Sequence, residues 1–552
     1  MSRFQSFEPP PSGPPPPGEG RSGSRSARLA RSAGVVGGAT LISRISGFGR
    51  DMIVAAAIGA GQTADAFYVA YGIPNLLRVL FAEGALSAAF IPVFTREATQ
   101  QGGEAAKRLS GALMVSLALI LAAVTLLGVL AAPYIVRILV PGFTANPSKY
   151  ALTVVLTRVM FPLLFFIGLA AVAAGILNTL GHFLAPAFTP VFFNLSVIAC
   201  ALFLAPRLET PVVGLAWGVV IGGAAQLIAQ IKPLHARGQL PRPRWEPRHP
   251  GSRRIAQLMV PAVFGFSIAQ IGTLVDRLLA SFLPEGSISF LYYAYRLLLF
   301  PLGIFGTAMS IAVFPSLSAH AARNEQKDFL ETMGEGLRLV LFVCVPSAVG
   351  LAVLAAPITQ VLFERGAFTA HDTAMTARAA VAYAAGLVAY AGVKIVASAF
   401  YSLQDTRTPV KVAAFVLLAN VVLNLILMVP LRHAGLALAS ALCAYLNVGL
   451  LLRFLRRRLG RLGGRAIARS FLRISPPTLA MTLAVYGAKW MMYAPAGPPL
   501  ERALALGVCL LLGASVYLAA AKAMGCEELA LLRESFRGRK LKGPPPADPG
   551  LS

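Results

Sequence analysis

Apolar runs of twenty or more residues recur almost from end to end of this chain, separated by short polar gaps. Each run is long enough to cross roughly 30 Å of hydrocarbon as a helix. The runs are continuous and do not alternate, which predicts helices and excludes a membrane β-barrel. About fourteen spans are expected, near 34–59, 64–94, 109–140, 150–180, 184–205, 211–231, 255–283, 287–318, 330–363, 373–403, 409–430, 434–455, 467–492 and 501–523. The fold class is therefore an all-α polytopic membrane protein.

A second pattern lies on top of the first. Residues 85–92 (Ala85, Ser87, Ala89 and Pro92) match residues 308–315 (Ala308, Ser310, Ala312 and Pro315) at an offset of 223, which also pairs Leu180 with Leu403 and Pro186 with Pro409. Gly214 and Ala216 pair with Gly435 and Ala437 at an offset of 221. Such self-similarity predicts two lobes. Six spans each is an even number, so both lobes insert the same way up, as parallel repeats about an axis along the membrane normal. The expected division is an unstructured arm (1–33), an N-lobe (34–231), a basic loop (232–254), a C-lobe (255–455), two appended spans (456–525) and a tail (526–552).

Composition agrees: 56% of the 552 residues are hydrophobic, 13% are charged and the mean hydropathy is +0.69. The formal charge of +26 would suggest nucleic acid in a soluble protein. Here the basic residues cluster in alternate loops, notably 232–254 and 453–473, and no nucleic-acid-binding motif accompanies them. They read as topology signals that place both loops and both termini in the cytoplasm. Seven prolines between Pro9 and Pro17 predict an arm that buries nothing. The five scattered cysteines and six histidines carry no ligand spacing.

Charge inside the apolar spans is the most informative departure. Arg44 and Arg50 lie in the first span, Asp65 and Arg78 in the second, and Arg296 in the second lobe. An intramembrane charge costs roughly 3 kcal/mol or more and persists where it faces a polar cavity. Mostly cationic groups predict an anionic cargo, and guanidinium forks suit paired phosphate oxygens. Gly47 and Gly49 would allow a bend aiming both first-span arginines into one cavity. Asp65 counters an arginine of the first span or forms an ion pair that fixes packing; Asn75 shares its helix face. Arg50 has Asp51 as an alternative partner, and Arg296 has Asp276. The loops lack the Asp, Glu and His cluster that an enzyme acting on a lipid would need, so a transporter is expected.

The segments Ser43 to Asp51, Ala64 to Phe67, Pro74 to Arg78, Phe81 to Ala85, Tyr292 to Arg296 and Gln404 to Lys411 resemble the MurJ (MviN) lipid II flippases. The resemblance implies a bacterial inner-membrane flippase that carries undecaprenyl-pyrophosphate-linked peptidoglycan precursor to the outer leaflet by alternating access. An undecaprenyl-pyrophosphate-linked glycan of another kind is the alternative cargo. It also implies the multidrug/oligosaccharidyl-lipid/polysaccharide exporter fold, with the last two helices lining a lipid-tail groove. The implied cavity residues are Arg44, Arg50, Asp65, Arg78 and Arg296, with Asn75 nearby; cell-wall synthesis proteins are candidate partners. Some members carry a glutamate where this chain has Leu299. Asp276, Asn420, Asn424 and Ser440 offer oxygen ligands suited to Na⁺, with interhelical hydrogen bonding as the alternative. No other cofactor is expected, and coupling falls to Na⁺ or the membrane potential.

Overall fold

The computed structural model describes residues 21–80, 86–246 and 248–536, which form helices with no strand among them. The first lobe comprises α1 (Arg21–Ile58), α2 (Gln62–Arg78), α3 (Ser87–Gln100), α4 (Gly103–Leu139), α5 (Pro147–Met160), α6 (Leu163–Thr179), α7 (Leu184–Ala199) and α8 (Pro211–Ala236). The second comprises α9 (Pro250–Ala280), α10 (Ser287–Pro301), α11 (Ala308–Ala322), α12 (Gln326–Phe363), α13 (Ala370–Ala384), α14 (Leu387–Ser402), α15 (Arg407–Leu431) and α16 (His433–Leu459). The appended pair, α17 (Gly464–Met492) and α18 (Pro499–Ala523), packs on α12, and a short α19 (Glu527–Phe536) follows.

Helical chain underlies every expected span, but several are interrupted. By length and apolarity, eight described helices can cross a bilayer, or nine if α13 and α14, bent by 41°, form one span. Pro162 separates α5 from α6, since it denies the ladder a donor. The repeat has a structural echo: π-helical turns occur at Val79–Leu80 and again at Leu302–Thr307, one repeat offset apart, each preceding the next helix of its lobe. Residues 81–85, which include the first position of the sequence repeat, lie outside the described residues, as does most of the expected arm. The first helix reaches back to Arg21, within the expected arm, and runs unbroken through Gly47 and Gly49, where the sequence suggested a bend.

Bilayer-facing surface is evident on α4, where Leu126, Leu127, Leu130 and Ile138 are all more than half exposed. At the end of the bundle away from the basic loop 232–254, the lobes meet closely. The Ala367 N–H donates to the Ala56 carbonyl at 2.8 Å, and the Tyr293 hydroxyl to the Gly59 carbonyl at 3.2 Å. Gly59 and Gly366, both at positive φ, approach the backbone of Ala367 and Ala56 so nearly that a Cβ would collide with a carbonyl. Tyr68 and Tyr293 share a hydroxyl–hydroxyl bond of 2.9 Å across the same seam. That end of the molecule is sealed.

Candidate functional site

Between the lobes, in the half nearer the basic loop, lies a cavity of about 720 Å³. Arg44, Arg50, Arg78 and Arg296 all line it, joined by Lys394, a cation in α14 that the sequence reading did not single out. Among the described residues, one carboxylate, Asp51, stands against these five cations. The signal for Lys394 was present, a lone charge in an apolar span, the same one that marks the arginines.

Asp51 is the centre of the site. Arg50 donates to its Oδ1 through Nε (3.0 Å) and Nη2 (2.6 Å), and Arg296 meets its Oδ2 at 3.1 Å. One buried carboxylate thus links an arginine of its own helix to an arginine of the other lobe. The expected alternative partner of Arg296, Asp276, is not what it meets. Arg50 is buried and also donates to Asn194 Oδ1 (3.2 Å), while the Asn194 amide holds the Ser43 carbonyl and Ser46 hydroxyl. Tyr292, one turn before Arg296, accepts from it at 2.9 Å and stacks on Tyr68 with ring centroids 3.9 Å apart.

Arg44 differs from these. It is exposed to the cavity and makes no ion pair or hydrogen bond among the described residues. Its guanidinium reaches across to the second lobe, where a Cβ on Gly303 would overlap it. The bare glycine in the π-helical turn leaves the room. Gly303→Ala should displace the Arg44 head, which is flexible, without harming the backbone. The expected result is a severalfold loss of transport in a vesicle assay at unchanged melting temperature.

Asn75 does not line the cavity; it accepts from Arg78 Nε at 3.0 Å and so orients that arginine. Leu299, standing where some relatives carry glutamate, lines the wall. Asp65 lies apart, in the sealed end. It is not paired to a first-span arginine: Lys149 binds its Oδ2 at 2.8 Å, and the carboxylate accepts from the Gly286 and Ser289 N–H groups (2.8 and 2.9 Å) and the Ser289 hydroxyl (2.8 Å). A first-lobe carboxylate therefore caps the N-terminus of second-lobe helix α10, satisfying orphan donors and the helix dipole together.

Of the oxygen-rich group, three members meet. The Asn424 amide nitrogen donates to Asp276 Oδ1 (2.8 Å) and Asn420 Oδ1 (3.0 Å). Asn424 Oδ1 is buried without a partner, and Ser440 makes no hydrogen bond to the other three. The Gln404 to Lys411 segment is a turn: Asp405 accepts from the Thr408 N–H (3.0 Å) and hydroxyl (2.7 Å), which hold its carboxyl below the usual range. His320, Glu325 and Asp328 also converge at the α11–α12 turn, a grouping that residue spacing did not reveal.

Comparison with known proteins decides what this arrangement belongs to. The family model described as Lipid II flippase MurJ matches residues 54–497. This chain belongs to the MurJ lipid II flippase family. Relatives within MurJ include a probable lipid II flippase of Vibrio cholerae, 42% identical over 435 residues (78% of this chain, 83% of that one). Another is the lipid II flippase MurJ of Burkholderia cenocepacia, 38% identical over 507 residues (90% and 98%). A solved MurJ in an inward closed conformation superposes with a TM-score of 0.74 at 28% identity, covering 91% of this chain and 99% of that one. An inward-facing multidrug-resistance MATE transporter of the MOP superfamily shares the fold, with a TM-score of 0.63 at 13% identity (76% and 95%).

Proposed function

We propose that this protein flips lipid II from the cytoplasmic to the outer leaflet of a bacterial inner membrane, as a transporter and not an enzyme. The observation that carries the reading is the cavity itself: cations from both lobes face one chamber sealed at its far end. A diphosphate is the headgroup such a set binds best, because each guanidinium fork donates twice to paired oxygens and keeps its charge when desolvated.

The positive-inside pattern makes the basic end cytoplasmic, so the chamber lies on the side where the cargo is made. Loading sets the diphosphate against Arg44, Arg296 and Arg50 in competition with Asp51. An empty cationic cavity is drawn towards a negative cytoplasm by about 2.3 kcal/mol per charge per 100 mV. Cargo anions cancel that pull, so the loaded form turns outward and the unloaded form returns. Asp276, Asn420 and Asn424 are hard oxygen donors, and the orphan Asn424 Oδ1 fits an added cation. Those residues would hold Na⁺, whose binding supplies a second drive.

The test is rescue of cells depleted of their own lipid II flippase, with lipid II exposure on the outer leaflet as readout. Growth and normal exposure are expected. Failure to restore exposure by a correctly inserted chain, with transport of another undecaprenyl-pyrophosphate-linked glycan instead, would move the cargo to that alternative.

A further inference from the structure

The two walls of the cavity are chemically unlike. On the second-lobe side, Leu299, Phe300, Leu302 and Gly303 are apolar, and the polar side chains are the cations Arg296 and Lys394 with Thr307, whose hydroxyl accepts from Lys394 at 2.6 Å. The first-lobe side adds four carboxamides to its arginines: Asn178 from α6, Asn194 from α7, Gln226 and Gln230 from α8. Asn194 is fully engaged with Arg50 and α1. The others are not. The side-chain amides of Asn178 and Gln226, both half-buried, make no hydrogen bond among the described residues. Gln230 is 1% exposed; its nitrogen is committed to the Ala170 and Gln226 carbonyls, and its Oε1 has no partner.

Each carboxamide offers two donors and an acceptor oxygen. Unanswered polar groups in a pocket cost free energy that a ligand with matching groups recovers. They carry no charge, so they hold a diphosphate less strongly than the guanidinium forks do and leave their acceptor oxygens unused by it. Their complement is a neutral ligand dense in hydroxyls and amides, linked to the anion that the arginines hold.

We infer that Asn178 and Gln226, backed by Gln230, form a subsite for the uncharged saccharide–peptide part of the cargo head, separate from the arginine cluster. This assignment rests on the flippase reading. It divides the labour: guanidinium groups fix the diphosphate between the lobes, and the amide wall reads what the diphosphate carries. Two lost hydrogen bonds weaken binding by about tenfold or more.

The experiment measures binding of lipid II and of undecaprenyl pyrophosphate, which lacks sugar and peptide, to the full chain in lipid nanodiscs. The Asn178→Ala/Gln226→Ala double variant should bind lipid II about tenfold more weakly and undecaprenyl pyrophosphate within twofold of the parent. The retained second ligand shows that the variant is folded. Arg296→Ala should weaken both ligands. The inference is overturned if the double variant binds lipid II like the parent, or if both ligands weaken equally in it and in each single variant. A parent chain that binds neither ligand removes the flippase reading, and the subsite with it.

Discussion

Arg44→Ala and Arg296→Ala should each abolish lipid II flipping while leaving the protein inserted and folded. The two substitutions fail for different reasons. Arg44 faces the cavity with no partner of its own, so its removal deletes a cation reserved for cargo and disturbs no internal bond. A hydrogen bond to a charged group is worth about 1.5–3 kcal/mol, or roughly ten- to a hundredfold in binding for one such contact. A bidentate contact to a diphosphate exceeds that. Arg296 lines the cavity and also joins the lobes through Asp51. Its loss leaves Asp51 with Arg50 and the Tyr292 hydroxyl, and takes from the cavity the one second-lobe arginine among the described residues that line it. The measurement is rescue of flippase-depleted cells alongside quantified membrane protein. Normal outer-leaflet lipid II with Arg44→Ala in place would refute the role given to the cavity.

Asp65→Ala unseals the far end. Asp65 and Lys149 have side chains only 2% and 6% exposed, so the pair is desolvated and each charge depends on the other. Removing one member of such a pair costs about 3–5 kcal/mol, because the remaining charge stays buried and unpaired. The cap on α10 goes with it. The ion pair lies within the first lobe, so the part of the cost that falls on the sealed state alone is the loss of the bonds from Gly286 and Ser289 of the second lobe, and it shifts the equilibrium towards opening by about tenfold or more. Thiol labelling reads this directly. Ser287, at the seam and 1% exposed, takes a Ser287→Cys probe in a chain whose five buried cysteines have been replaced. Reagent added from the outer side should modify the probe rapidly in the Asp65→Ala chain and slowly in the parent. Equal, slow labelling in both would show that the Asp65 cap on α10 does not hold the seal.

These two residues mark where the sequence could be read and where it could not. Arg44 and Asp65 gave the same signal, a charge at depth in an apolar run. Hydropathy measures the cost of the charge and says nothing of the direction in which it points. Arg44 faces the chamber because α1 borders the gap between the lobes; Asp65, near the other end of its span, meets the N-terminus of α10. Asn75 shared a helix face with Asp65 but serves Arg78. Lys394 and Asn194 were open to the same reasoning, the first as a lone charge and the second as a polar residue in an apolar run. Asp51 was visible only as a neighbour of Arg50. Its contact with Arg296 spans 245 positions, and no periodicity carries information over that distance.

The chain by itself determined its solvent, its class and its repeat. Twenty-residue apolar runs admit only helices in hydrocarbon, since every backbone N–H and C=O must be satisfied within its own segment. It also pointed to an anionic cargo, because cations at depth in apolar runs are too expensive to keep without an anion to answer them. The tertiary structure alone decided which charges face the chamber and which pair at the sealed end. That choice depends on which helix lies opposite each side chain, and opposite faces are brought together by packing between distant segments, where hydropathy patterns are blind.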